Sequence, residues 1–167
     1  EILAPYAMAT KGRYIAAMGN PTQRLPACFE NAATFGTINY TVFSRDSGAL
    51  APAGSVDLIL TARNIHNWMW QPGMMDKAMT DFAAALKPGG ILGVEEHRAD
   101  PRAEKVEGTR SASDGYVSKA SIVAAAKKAG LVLEAESEIN ANPKDTKDHP
   151  FGVWTLPPNS TTAPRGG

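Results

Sequence analysis

Strands that alternate with helices along most of the 167 residues predict a layered α/β domain with mostly parallel strands. Three observations carry that prediction. Short apolar runs at 13–18, 56–60 and 91–94 have the composition of strands buried on both faces. Between the second and third runs, Met75, Ala78, Met79, Phe82, Ala83 and Leu86 recur at helical spacing on one face. Pro88-Gly89-Gly90 then stops that helix, because proline cannot continue it and glycine takes a positive φ at little cost.

The remaining elements follow in order. Residues 1–7 read as one or two helical turns, broken at Thr10-Lys11-Gly12. RYIAAM (13–18) is a strand bounded by Gly12 and Gly19-Asn20-Pro21. Leu25 to Phe35 carries a weak helical signal, with Pro26 near its start and Gly36 at its end. INYTVF (38–43) is β-branched, aromatic and alternating, as a strand should be. Asp46 to Gly54 is a loop, VDLIL (56–60) a strand, and TARNIHNWMWQPG the loop after it. After the 91–94 strand, residues 98–117 are charged and irregular, with at most a short helical piece. Ser118 is a good N-cap for a helix through Ala129, with Ile122, Val123 and Ala126 as its apolar stripe and Gly130 closing it. LVLEAESEI (131–139) alternates towards its end and predicts a strand near the sheet edge. NPKDTKDHP is a polar loop and FGVWTL (151–156) a further strand. The domain is thus expected to span 1–156, and the PPNSTTAPRGG tail (157–167) to be disordered.

Composition narrows the function classes. Hydrophobic residues make up 43% and charged residues 20%, within the range of globular domains. Lys plus Arg and Asp plus Glu each total 17, so the zero formal charge gives no electrostatic reason to expect nucleic acid or an anionic membrane as partner. Cys28 is the single cysteine, and no apolar run approaches the roughly 20 residues that span a bilayer. Because the chain opens on Glu1 with what reads as the end of a helix, it is expected to be a fragment or processed product. Cytoplasm is then the default compartment, and export would need an upstream signal peptide.

In a parallel sheet the ligand sits outside the carboxyl ends of the strands. That directs attention to Gly19-Asn20, Arg45-Asp46, Arg63 to Trp70, and Glu95 to Arg98. His66 and His97 are the catalytic candidates, since imidazole titrates near neutrality and suits a general base. The bland alternative is two loop histidines bonded to backbone. Glu95, Glu96, His97 and His66 are enough ligands for a metal on paper, but no HxH or HExxH spacing is present and no metal is expected. Asp145, Asp148 and His149 read as a hydrated loop. Trp68, Met69, Trp70, Met74 and Met75 read as core packing at a helix start rather than a lid over substrate. Tyr116, ahead of the Ser118 helix, is a weaker candidate for the pocket.

The run SVDLIL, helix, LKPGG, ILGVEEHR resembles the second half of a class I S-adenosylmethionine-dependent methyltransferase, over roughly residues 1–139. NIHNW, EEHRAD, DGYVSKA and NPKDTKDHPFGVWTLPP look like a group of bacterial predicted methyltransferases. The resemblance implies a doubly wound, Rossmann-like sheet. EILAPY would match the helix after the glycine-rich turn, so strand one and that turn would lie upstream and the sheet would lack its first strand. Strand one is central in that topology, so either its two neighbours would close the gap and pair directly or the fragment would be unstable alone. RYIAAM would be strand two, ending in Gly19 and Asn20 where the family has an acid for the ribose. Asp46 in SRDSGAL would contact the adenine, and Arg63 and Asn64 the substrate or cofactor tail. His66 and His97 would follow neighbouring strands about 5 Å apart and share one crevice. In the narrower group the last strand lies past FGVWTL, which would make that segment a loop. The implied activity is methyl transfer from S-adenosylmethionine to a small-molecule acceptor. The alternative is a non-catalytic binding domain that keeps the fold; a nicotinamide dehydrogenase is disfavoured by LKPGG.

Overall fold

The computed structural model describes residues 3–100 and 112–162. In chain order its regular elements are α1 (Leu3–Ala9), β1 (Tyr14–Met18), a 3-10 turn (Ala27–Glu30), α2 (Ala32–Phe35), β2 (Ile38–Val42), β3 (Val56–Ala62), α3 (Ile65–Met69), α4 (Met74–Ala85), β4 (Leu86–Glu95), α5 (Lys119–Lys128) and a second 3-10 turn (Gly152–Thr155). The chain is therefore mixed α/β, and its strands form two separate two-stranded parallel sheets, β1–β2 and β3–β4. β1 and β3 do not pair with each other.

The β1–β2 ladder is regular from Tyr14 opposite Ile38 to Met18 opposite Val42. The β3–β4 ladder is not. Val56 faces Leu86 and Leu58 faces Ile91, so Lys87-Pro88-Gly89-Gly90 bulges out of β4 rather than lying between helix and strand. Gly90 is required there, since a Cβ would come within 2.9 Å of the Lys87 carbonyl oxygen and 3.1 Å of that of Val56. Ahead of the bulge, the N–H groups of Gly54 and Ser55 donate to the carbonyls of Ala84 and Ala85 at 2.9 Å. The last turn of α4 is thus satisfied by the loop that starts β3.

The core lies against α4, where Ala78, Met79 and Phe82 join Ile65, Ala112 and Val117 in one buried cluster. Ile59 of β3, Leu92 of β4 and Ile122, Ala125 and Ala126 of α5 pack onto it. The opposite face of this sheet is open: Leu58, Leu60 and Ile91 are each about half exposed. The expectation of strands buried on both faces therefore holds for one face among the described residues. Phe43, just past β2, stacks on Phe82 and meets Trp68 edge-on, both at 5.4 Å, and so ties the end of β2 to the elements that follow β3.

Three further expectations change. The 131–139 stretch is not a strand: Val132 and Ile139 are largely exposed, and the segment is held instead by Arg98–Glu138 and Lys119–Glu136 ion pairs. Its alternation had no ladder to serve. FGVWTL forms a 3-10 turn: Gly152 takes φ 56°, a left-handed backbone that no strand residue adopts, and Val153 N–H donates to the Asp114 carbonyl. The 25–35 helix is split at Asn31, whose extended backbone and side-chain bond to Ala33 N–H start α2 afresh. Ser118 caps α5 as expected, accepting from Ser121 N–H. The expected short helical piece within 98–117 falls largely on 101–111, outside the described residues.

Candidate functional site at the ends of β3 and β4

β3 ends at Ala62 and β4 at Glu95, and these two residues face each other across the ladder. Parallel pairing therefore delivers the next residues of both strands to one place. Arg63 N–H donates to the Glu95 carbonyl at 2.9 Å, with Arg63 in the left-handed region at φ 54°. The chain then turns straight into α3, which was expected to be loop.

Glu96 organises the site. Its side chain is 3% exposed. Oε2 accepts from the N–H groups of Ile65 and His66 at 2.8 and 3.2 Å; Oε1 accepts from His97 N–H at 2.9 Å and meets His66 Nδ1 at 3.0 Å. A carboxylate has about four lone-pair sites, and all four are engaged by donors. Nδ1 of His66 is placed to donate to Glu96, which leaves Nε2 as the ring nitrogen outside that bond. No buried side-chain nitrogen or oxygen among the described residues lacks a partner, and Nε2 makes no hydrogen bond. It is thus solvent-reached, although His66 as a whole is 6% exposed. This is the geometry of an oriented general base, with a buried carboxylate fixing the tautomer. Four engaged lone pairs also leave Glu96 no oxygen for a metal ion, and no group of three metal-ligating residues occurs among the described residues.

A shell of rings surrounds His66: Trp70 at 5.9 Å, Trp154 at 6.0 Å and His97 at 6.3 Å between centroids. Burial pushes the His97 imidazole below its ordinary pKa; Glu96 works against that shift, and His66 and Arg63 reinforce it. His97 in turn meets Tyr116 at 6.2 Å. Tyr116 donates its O–H to Asp145 at 2.7 Å, and the same oxygen of Asp145 receives Lys147 N–H and His149 Nε2, both at 3.0 Å. Burial first, and Asp145 second, push the Tyr116 phenol well up. Burial works against charge on Asp145, but these three donors hold its carboxyl below the usual range.

The C-terminal segment supplies the outer wall. A cleft of about 300 Å³ lies between Arg63, Asn64, His66 and His97 on one side and the 153–159 segment on the other. Gly152 pins that segment: a Cβ there would lie 1.9 Å from the Asp114 carbonyl oxygen. Pro157, Pro158 and Asn159 line the cleft, and Thr161 N–H returns to the Trp154 carbonyl at 2.8 Å. Residues 163–167 lie outside the described residues.

The structure thus brings together His66, His97, Arg63 and Asn64. It does not bring Gly19, Asn20 and Asp46 to this cleft. Asn20 Oδ1 is engaged in its own turn, accepting from Thr22 N–H, Thr22 Oγ1 and Gln23 N–H, and Gly19 N–H donates to Gln23. Asp46 is exposed and paired with Arg45. Sequence reasoning undervalued Glu96, Tyr116 and Trp154. The available signal for Glu96 was its place between a strand end and His97, one residue past the last ladder pair. Trp154 had none, because its contact with His66 spans 88 positions (66 to 154) of chain.

Comparison with protein-family models, with curated proteins and with solved structures finds no match to this chain.

Proposed function

We propose that this chain is a class I methyltransferase domain that uses S-adenosylmethionine to methylate a small-molecule acceptor, with His66 as general base. In this reading β1–β2 and β3–β4 are the two flanks of one doubly wound sheet. The observation that carries it is the buried Glu96–His66 pair at the strand ends, with His66 lining the cleft. Parallel pairing in both sheets supports it, as does the Phe43 contact that draws the end of β2 to α3 and α4.

S-adenosylmethionine, when bound, supplies a methyl group already activated on sulfonium. What remains for the protein is to orient the acceptor and take its proton. His66 Nε2 accepts that proton from an acceptor O–H or N–H, and Glu96 stabilises the imidazolium that results. Glu96 is itself fixed by three backbone N–H groups, so little reorganisation accompanies the transfer. His97, kept neutral by burial, adds no second positive charge beside it. Trp70 and Trp154 limit water at the ring.

The cofactor side fits in part. Arg63 and Asn64 suit a carboxylate tail. Asn20 offers the ribose only its amide donors, since its oxygen is engaged by Thr22 and Gln23. That observation favours a second reading, a domain of the same fold that binds a ligand without catalysis.

Isothermal titration with S-adenosylmethionine and with NAD separates the readings. The proposal expects the first to bind and the second not; the reverse result removes it. Release of S-adenosylhomocysteine is then measured with a panel of small phenols, amines and acids. His66→Ala should lower any turnover by about 100-fold or more. Cofactor binding without turnover on any acceptor selects the second reading.

A further inference from the structure

We propose that the cleft at the ends of β3 and β4 binds a carboxylate, with Arg63 as its counter-charge; this deepens the methyl-transfer reading by giving the site a ligand class, and rests on that reading for the cleft being the acceptor site. Three features converge. Arg63 lines the cleft and makes no ion pair or side-chain hydrogen bond among the described residues. Among the described residues no acidic side chain lines the cleft with it. Glu96, the nearest carboxylate in sequence to His97, turns inward, with both oxygens engaged by the donors of Ile65, His66 and His97. Among the described residues the cleft therefore presents a permanent cation without an anion.

The backbone reinforces this. Arg63 occupies the left-handed region at φ 54°, which a residue with a Cβ rarely adopts. It is held there by its bond to the Glu95 carbonyl. Its charge reaches His97, which lines the same cleft. Asn64 and Asn159 add amide donors at the rim, and Trp154 and Pro157 an apolar wall. One guanidinium fork beside an indole suits one planar carboxylate on a small ring or short chain. A phosphate dianion would call for more than one cation.

The test uses the whole chain and two probes of the same shape, benzoate and neutral benzamide, titrated while the His97 ring protons are followed by NMR. Benzoate should bind, benzamide about tenfold more weakly or worse, and bound benzoate should raise the His97 pKa. Arg63→Asn, chosen because Asn tolerates the left-handed backbone, should weaken benzoate about tenfold and leave benzamide unchanged. Arg63→Lys should recover part of the loss. Equal binding of the two probes, benzoate binding unaffected by Arg63→Asn, or binding of neither overturns the proposal. Competition with S-adenosylhomocysteine assigns the source. Displacement of benzoate by it, with both weakened in Arg63→Asn, makes the carboxylate the cofactor's; simultaneous binding makes it the acceptor's. Benzoate bound through Arg63 in a protein that ignores S-adenosylhomocysteine keeps the anion site and removes the methyl-transfer reading.

Discussion

The two sheets share a pairing mode and differ in almost everything else. Around β1–β2, only Ala4 and Ala16 are buried among the described apolar side chains. Around β3–β4 lie Ile65, Met74, Ala78, Met79, Phe82, Ala85, Leu86, Tyr116 and Val117, along with His66 and Thr61. The difference extends to the strand ends. Past β1, Asn20 satisfies its own turn; past β2, Asp46 pairs with its neighbour in solvent. Past β3 and β4, Glu96 reaches back 31 residues to Ile65 and fixes a histidine. Oriented chemistry sits where a core holds the backbone still, and the poorly supported half keeps its polar groups local.

That contrast predicts unequal responses to truncation. Met79→Ala, at a fully buried site in α4, should cost about 2–5 kcal/mol. Ile38→Ala in β2, half-buried, should cost about 1 kcal/mol. Urea unfolding of the two variants measures both. Equal losses would mean that the two sheets share one cooperative core.

A smaller difference is expected at the strand ends. Glu96→Gln keeps the shape but replaces one acceptor oxygen by an amide that only donates, so two of four buried donors lose their partner. The expected cost is about 1–3 kcal/mol, with faster amide exchange at Ile65 and His66. Asp46→Asn, on an exposed side chain, should leave stability unchanged. A silent Glu96→Gln would remove the carboxylate from its organising role.

How much of this was legible can be argued from particular residues. Elements set by local signals came through: the Ser118 cap, the Phe82 stripe of α4, and the strands around Ile15, Ile38, Ile59 and Leu92. Where the outcome depended on a distant partner, the local signal misled. Leu131 to Ile139 alternates correctly but meets no ladder, and FGVWTL is bent where Gly152 passes so close to the Asp114 carbonyl that no Cβ would fit, an approach only the fold creates. The histidine pair was legible because parallel strands bring their ends together. The Tyr116–Asp145–His149 group was not, since its members are joined across a loop whose spacing fits no known pattern.

The finest test of the contrast is titration. His97 is the histidine whose environment lowers its pKa, through burial foremost. In the unfolded chain it takes its proton near 6.5, and in the folded chain only at lower pH. Between those values the unfolded state binds more protons, so stability rises with pH. The His97 contribution is thus intact above about pH 6.5 and is lost as the pH falls through the ordinary histidine range towards the lower folded value. His97→Asn should flatten the stability profile in that window and leave it unchanged above it, as read from urea midpoints between pH 5 and 8. Because β1, β2 and their turns hold no histidine, the whole slope should belong to the β3–β4 half. A slope that survives His97→Asn would place the titrating group elsewhere.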